Sequence, residues 1–205
     1  MLRFYSEIVY PRLMSASLNN DSVNALRKRI TAEVSGDILE TGIGRGANLP
    51  FYPENVSGIT AVDCFIDCIP ESRVKVKLVK DSVCKMSFDD NTFDTVLSTF
   101  CLCSVENLEK ALSEILRVLK PGGRLLFLEH GKAQRRVTRR LQDIFNPVYN
   151  TLALGCNINR DYTGGMGNAG FKVISCDVVN AAIFPRFLVG YAYIGAAEKP
   201  LTKEK

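Results

Sequence analysis

The feature that most constrains this chain is the alternation of short apolar runs with helical stretches. Runs rich in Val, Ile and Leu recur at residues 37–41, 58–62, 74–79, 95–99, 124–129, 172–179 and 187–196. Strands that are apolar on both faces belong to a parallel sheet covered by helices, so the pattern predicts an α/β fold. The strongest helix is expected over residues 106–119, where Leu108, Leu112, Ile115, Leu116 and Leu119 recur at helical spacing. Ser104 is its expected cap, and Pro121-Gly122-Gly123 its stop before the next strand. A first helix is expected over 22–34, with Val23, Leu26, Ile30 and Val34 on one face, covering an edge of the sheet or of a pocket. Ahead of it lie Phe4 and Tyr5 with Ile8, Val9 and Tyr10.

Only residues 180–186 join the last two apolar runs, too few for a helical crossover, so these two strands are expected to be antiparallel neighbours at one edge. Few connections elsewhere are so short, and no repeat or composition break marks a linker. The 205 residues are thus read as one domain: a helical cover over 1–35, a core over 36–198 and a frayed tail over 199–205. The longest apolar run, 187–197, falls well short of the ~20 residues of a spanning helix. Residues 1–14 carry Arg3, Glu7, Pro11 and Arg12, so no secretory signal is expected there. Seven cysteines scattered through apolar segments read as reduced thiols of a cytoplasmic protein, not as a disulfide framework.

After the first strand comes Glu40-Thr41-Gly42-Ile43-Gly44-Arg45-Gly46-Ala47-Asn48. The glycines permit a sharp turn and close approach of a ligand at the carboxyl edge of the sheet, or are simply a strand-to-helix turn. A pyrophosphate gains nothing from a carboxylate such as Glu40 at the loop mouth, whereas a cofactor bearing an ammonium and a sulfonium does. That favours S-adenosylmethionine (SAM) over NAD. Asp63 ends the second strand roughly 20 residues after Gly42, the place of a ribose-binding carboxylate in such folds. It is read as a ribose ligand or as a solvated turn acid, with Cys64 and Phe65 available to cover an adenine face.

These segments, followed by Met86-Ser87-Phe88-Asp89-Asp90-Asn91-Thr92-Phe93-Asp94 and Leu116-Arg117-Val118-Leu119-Lys120-Pro121-Gly122-Gly123, resemble in order and spacing the class I SAM-dependent methyltransferases of the UbiE type. Within that superfamily, Asn48-Leu49-Pro50-Phe51-Tyr52-Pro53, Cys101-Leu102-Cys103-Ser104-Val105, Glu129-His130 and Gly155-Cys156-Asn157 are similar to the methyltransferase-like thiol methyltransferases and their bacterial relatives. The resemblance runs from about Tyr5 to Ala196. It implies a Rossmann-like, doubly wound, seven-stranded sheet, mostly parallel with an antiparallel last strand, and methyl transfer from SAM to a small acceptor. It further implies that Glu40, Thr41, Gly42, Gly44, Gly46 and Asn48 hold the methionine part and Asp63 and Cys64 the nucleoside. Ser82 and Val83 would lie at the adenine, and Ser98, Thr99 and Phe100 beside the transferable methyl.

Two departures from the family pattern stand out. Ser82 and Cys84 occupy the places where relatives offer an acid to the adenine, with Asp81 one step early. Only residues 64–73 join the second and third strands, and Pro70 falls among them, so the usual crossover helix is expected to be shortened or lost.

A thiol acceptor needs only a modest nudge from a base or cation, because part of it is already thiolate near neutrality. A thiol is therefore favoured as acceptor over a quinone carbon or a lipid amine. The single histidine, His130, follows the fifth strand and is either a catalytic base or acceptor ligand, or a capping imidazole at the core's edge. Cys101 and Cys103 point toward the same region, and no zinc-type spacing is visible, so no metal is expected. Asn157 and Arg160 are candidates to line the acceptor pocket; the alternative is that Asn159 and Asp161 only start a short helix there. Lys132, Arg135, Arg136, Arg139 and Arg140 precede an apolar stretch from Leu141 to Leu152. This is either a solvated face or a surface that meets anionic lipid headgroups or an acidic substrate. The net charge of +4 and the lack of a reader motif argue against nucleic acid.

Overall fold

The computed structural model describes residues 18–65, 69–183 and 185–201. The aromatic lead at Phe4–Tyr10 therefore lies outside the described residues. The elements are α1 (Asp21–Thr31), β1 (Ile38–Thr41), a 3-10 turn (Leu49–Phe51), β2 (Gly58–Asp63), β3 (Lys75–Lys80), β4 (Phe93–Thr99) and α2 (Leu108–Val118). They continue with β5 (Leu119–His130), α3 (Arg136–Leu152), α4 (Tyr162–Ala169), β6 (Lys172–Asn180), α5 (Arg186–Val189) and β7 (Tyr191–Glu198). The seven strands form one sheet in the order β3-β2-β1-β4-β5-β7-β6. Strands β1 to β5 are mutually parallel, and β7 runs antiparallel to both β5 and β6.

Both faces of the central strands are buried, as continuous apolar runs require. Leu97, Leu126 and Leu128 face a core shared with Val23 and Ile30 of α1. Val96, Leu125 and Phe127 face a second core with Leu112 and Ile115 of α2 and Tyr162 and Met166 of α4. Helix α1 starts where the Asn20 side chain accepts from the amide of Val23, and it buries Val23, Arg27, Ile30 and Thr31 along one face. Of these, Arg27 is the residue an apolar face would not be expected to carry.

Several boundaries differ from the expectation, each for a local reason. Helix α1 ends at Thr31, short of Val34. Helix α2 is capped by Asn107, whose side chain accepts from the amide of Lys110, and not by Ser104, which closes a turn onto Cys101. It ends at Val118, ahead of the Pro121-Gly122-Gly123 stop. Those residues belong to β5, where Gly122 takes a left-handed φ of 77° and the pairing with β4 shifts register. Residues 187–189 are helical, because the Pro185 carbonyl accepts from the amides of Leu188 and Val189; β7 begins only at Tyr191. Lys199, assigned to a frayed tail, is pinned: its ammonium donates to Asn91 and to the Leu119 carbonyl, both at 2.7 Å.

The connections from β1 to β2 and from β2 to β3 contain no α-helix among the described residues. The first is a series of turns ending in the Leu49–Phe51 3-10 turn. The second is fastened to the first by one side chain. The Arg73 guanidinium donates to the carbonyls of Tyr52 (2.9 Å), Pro53 (3.0 Å), Glu54 (3.1 Å) and Val56 (2.9 Å). A planar fork of five N–H donors suits such a cluster of acceptors, and it substitutes for part of the packing that a crossover helix would supply. Arg73→Ala is expected to lower stability by about 1–2 kcal/mol in denaturant unfolding. It should also speed amide exchange over residues 53–57; no change in either would remove Arg73 from this role.

Candidate cofactor site at the carboxyl edge

The strand order reverses between β1 and β4, which is where open α/β sheets form a crevice at their carboxyl edge. A cavity of about 250 Å³ lies there. Its wall includes Arg27, Glu40, Gly42, Gly44, Asn48, Thr99 and Phe100. Of the expected site residues, the fold thus brings Glu40, Gly42, Gly44, Asn48, Thr99 and Phe100 to one cavity.

Glu40 is buried, and both its oxygens are engaged. Oε1 accepts from the Asn48 side-chain amide at 2.8 Å and Oε2 from the Tyr52 hydroxyl at 2.8 Å. Asn48 also donates to Thr99 Oγ1 at 2.9 Å, and its carbonyl oxygen accepts from Arg27 Nη1 at 2.7 Å. Burial pushes the Glu40 carboxyl up to about 7, against the pull of Tyr52, Asn48 and the Arg27 charge. The same burial lowers the Arg27 pKa, with Glu40 and Glu129 opposing. Arg27 Nε is buried and has no hydrogen-bond partner among the described residues. Neither Arg27 nor Tyr52 was marked in the sequence as a site residue. The only signal for Tyr52 was its place in the Asn48–Pro53 stretch, and Arg27 gave none beyond a cation on an apolar helix face.

The glycines divide by what surrounds them. Gly42, Gly44 and Gly46 all have left-handed φ values, of 67°, 51° and 73°. A Cβ on Gly42 would collide with Cys101, and one on Gly46 with Leu49, so these two are required by packing. A Cβ on Gly44 would meet nothing within 4 Å; its face is open to the cavity. The three amides are all used, donating to the Val62 carbonyl, to Asp63 Oδ2 and to the Ile43 carbonyl. The amides of these glycines are thus not free to cradle a pyrophosphate, and among the described residues only the short 3-10 turn at Leu49–Phe51, not an α-helix, follows the loop.

Asp63 lies beside this loop and not on the cavity wall. Its oxygens accept from Gly44 N and Phe65 N, both at 2.9 Å. A carboxylate has about four lone-pair positions, so both oxygens retain capacity for hydroxyls. Cys64 is exposed and its thiol donates to the Asp81 carbonyl; Phe65 is 89% exposed. Asp81 is spent on its own turn, accepting from Ser82 N and from both the amide and hydroxyl of Ser87. Ser82 accepts from Cys84 N, and Val83 is buried. The segment therefore closes on itself and aims no carboxylate outward. Thr41 and Ser98 are fully buried. The Ser98 hydroxyl donates to Glu129 at 2.7 Å, away from the cavity.

Glu129 organises the turn after β4. It is buried, accepts from Ser98 and from the amides of Cys101, Leu102 and Cys103, and has its pKa raised by burial. This turn holds Phe100 at a left-handed φ of 51°, with Arg27 over its ring at 5.4 Å. His130 also packs against that ring, centroid to centroid 4.9 Å, and is 1% exposed. The expected base is thus buried and is not among the residues that line the cavity. Beside it lie Cys103 and Cys156, a grouping that the expectation of no metal ligand set did not foresee, because the three residues come from distant segments. Asn157 donates to the carbonyls of Cys103 and Gly155, and Arg160 to those of Leu102 and Val105. Both hold the turn in place instead of lining the cavity. Asp161 caps α4.

Residues 39–127 match the family described as a methyltransferase domain. That match covers under half of the chain. The human protein named thiol S-methyltransferase TMT1A is 29% identical over 164 residues, which are 71% of this chain and 64% of that protein. The chain thus spans under two-thirds of that relative's length. A phosphatidylethanolamine N-methyltransferase from Cereibacter sphaeroides is 32% identical over 116 residues, 51% of this chain and 57% of that one. Among solved structures, a 1,6-didemethyltoxoflavin-N1-methyltransferase from Burkholderia thailandensis, bound to its substrate and S-adenosylhomocysteine, is 17% identical. Its TM-score is 0.64, covering 97% of this chain and 90% of that one. The seven-stranded sheet is therefore an architecture shared with that structure, and the cavity lies at its switch point.

The contrast between glycines gives a direct test of the site. Gly44→Asn is expected to leave the melting temperature nearly unchanged, since asparagine tolerates this φ, and to weaken SAM binding at least tenfold by calorimetry. Gly42→Ala should instead lower the melting temperature. Equal losses of stability in the two variants would mean that Gly44 faces no ligand.

Proposed function

We propose that the protein is an enzyme that transfers a methyl group from SAM to a small, apolar thiol. The observation that carries this reading is the buried network on one cavity wall in which Asn48 links the Glu40 carboxylate to the Arg27 guanidinium. The methionine end of SAM bears an ammonium, a carboxylate and a sulfonium. A carboxylate and a guanidinium fixed in one network complement the first two. Arg27 would face the carboxylate; Glu40 and Asn48 would face the cationic atoms; Asp63 would take the ribose hydroxyls. The relative named as a thiol S-methyltransferase supports a thiol acceptor. The relative named for phosphatidylethanolamine supports a lipid amine less well, since the match covers only about half of each chain.

Methyl transfer from a sulfonium is an in-line displacement, in which the protein aligns the two sulfurs and excludes water. With a thiol of pKa about 8.5 the nucleophile is partly ionised near neutrality, which removes the need for a base on the cavity wall. Thr99 and Phe100 form the part of the wall closest to β4's carboxyl end, where an acceptor would meet the methyl group.

The sign of the pH dependence follows from Glu40. Burial raises its carboxyl to about 7, and a cation favours the ionised form, so donor binding expels a proton below that value. SAM affinity is expected to rise as pH increases from 6 to 8 and then level off. Glu40→Gln should both weaken binding and flatten this profile. Calorimetry with SAM, followed by mass spectrometry of a simple alkyl thiol mixed with labelled SAM, tests the whole reading. No binding to well-folded protein would make it a scaffold that has lost the donor, and binding of NAD in its place would make it an oxidoreductase.

We propose further that α3 lies on an anionic lipid surface. Ile144, Phe145, Val148 and Leu152 are exposed along this helix, while Gln142 is its buried residue. Arg135, Arg136, Arg139 and Arg140 crowd its first turns, next to Lys132. An apolar stripe with cations at one end is the arrangement that binds headgroups and the acyl boundary together. No helix among the described residues is long and apolar enough to cross a membrane. Co-sedimentation with vesicles containing phosphatidylserine should be strong and salt-sensitive, and Phe145→Asp should reduce it at least tenfold. Absence of pelleting at low salt would make this a solvated face.

A further inference from the structure

Three segments far apart in sequence meet beside Phe100: the turn after β4 with Cys103, the end of β5 with His130, and the α3–α4 connection with Cys156. All three side chains are buried, none more than 2% exposed. One potential ligand atom from each lies within 4.8 Å of the others, with Cys156 Sγ 3.7 Å from His130 Nδ1. Both cysteines are free thiols. A tetrahedron built with zinc–sulfur bonds of about 2.3 Å and zinc–nitrogen bonds of about 2.0 Å has edges of about 3.5–3.8 Å. The observed spacing is close to that scale, so a cation could be seated with small side-chain adjustments.

A second observation points to the same place. Among the described residues, three buried side-chain N or O atoms have no hydrogen-bond partner: Arg27 Nε, His130 Nε2 and the Tyr162 hydroxyl. Arg27 belongs to the donor cavity. His130 Nε2 belongs here, on a member of the cluster. Buried polar atoms are nearly always satisfied, and exceptions commonly mark an ion or a water. The backbone around the cluster is also fixed in advance: Glu129 accepts from the amide of Cys103 at 3.2 Å, and Asn157 N donates to the Cys103 carbonyl at 2.8 Å.

We propose that Cys103, His130 and Cys156 form a binding site for one thiophilic divalent cation of the zinc type. Two thiolates neutralise its charge, and a neutral imidazole is the third ligand; the two thiol protons leave to solvent as the cation enters. Softer sulfur ligands select such a cation over magnesium or calcium. Three protein ligands leave a fourth position open. The cation would fasten the connection that carries Asn157 and Arg160 onto the carboxyl edge of the sheet.

The test uses the full chain, reduced and stripped with a chelator. Titration with Co²⁺ should produce a sulfur-to-cobalt charge-transfer band that saturates at one equivalent and is displaced by Zn²⁺. Competition against a chromophoric chelator should show at least a hundredfold weaker Zn²⁺ binding for Cys103→Ser and for Cys156→Ser. Cys176→Ser, on the edge strand β6, should bind as the parent does. Native mass spectrometry of the parent should show one zinc per chain, which keeps the proposal testable if a serine variant fails to fold. No charge-transfer band in the folded, reduced parent overturns it. So does a band that survives Cys156→Ser, or a parent mass without zinc at one equivalent.

Discussion

The buried hydrogen-bond network around Glu40 is the interaction on which the rest of the structure depends. Through Asn48, Tyr52, Thr99 and Arg27 it joins β1, the turn that follows, β4 and α1. A carboxylate and a guanidinium withdrawn from water are costly unless every lone pair and proton finds a partner, and removing one partner leaves the others exposed to that cost. The network therefore fixes the relative positions of four segments more tightly than apolar packing alone would. It also concentrates opposite charges on one wall of the cavity, so the same residues serve the architecture and the recognition of a zwitterionic ligand end.

Much of the scaffold was legible in the sequence because its signals are local and repeated. Continuous apolar runs marked the buried strands, and the short link between the last two predicted their antiparallel pairing, which the sheet shows. Boundaries were less legible wherever a distant group decided them. Ser104 has the chemistry of a helix cap, but Glu129, from another strand, gathers the preceding amides and moves the helix start to Asn107. Phe187 to Val189 are apolar enough for a strand, yet the chain turns after Pro185.

The candidate site was legible in part for the same reason. Glu40 and the glycines lie in one contiguous stretch, so their grouping needed no knowledge of the fold. Arg27 arrives from a helix that precedes the sheet, and Tyr52 from a turn where a helix was the usual expectation. His130 was visible as the lone histidine, but its burial off the cavity wall against the Phe100 ring and its proximity to Cys103 and Cys156 are tertiary facts. Asp81 shows the reverse case. Its acidity suggested an adenine contact one residue out of place, and the structure uses that acidity to close the Ser82–Ser87 turn.

The Arg73 fork has a consequence for how the chain can vary over time. A crossover helix spreads its grip over many residues, so substitutions erode it gradually. Here four carbonyls answer to one side chain, and carbonyls belong to the backbone whatever residue bears them. The surrounding positions are therefore free to drift in identity, whereas the arginine itself is irreplaceable, since lysine offers a point charge in place of a planar fork. Among related chains that share this abbreviated link, variability should be concentrated around a single invariant cation.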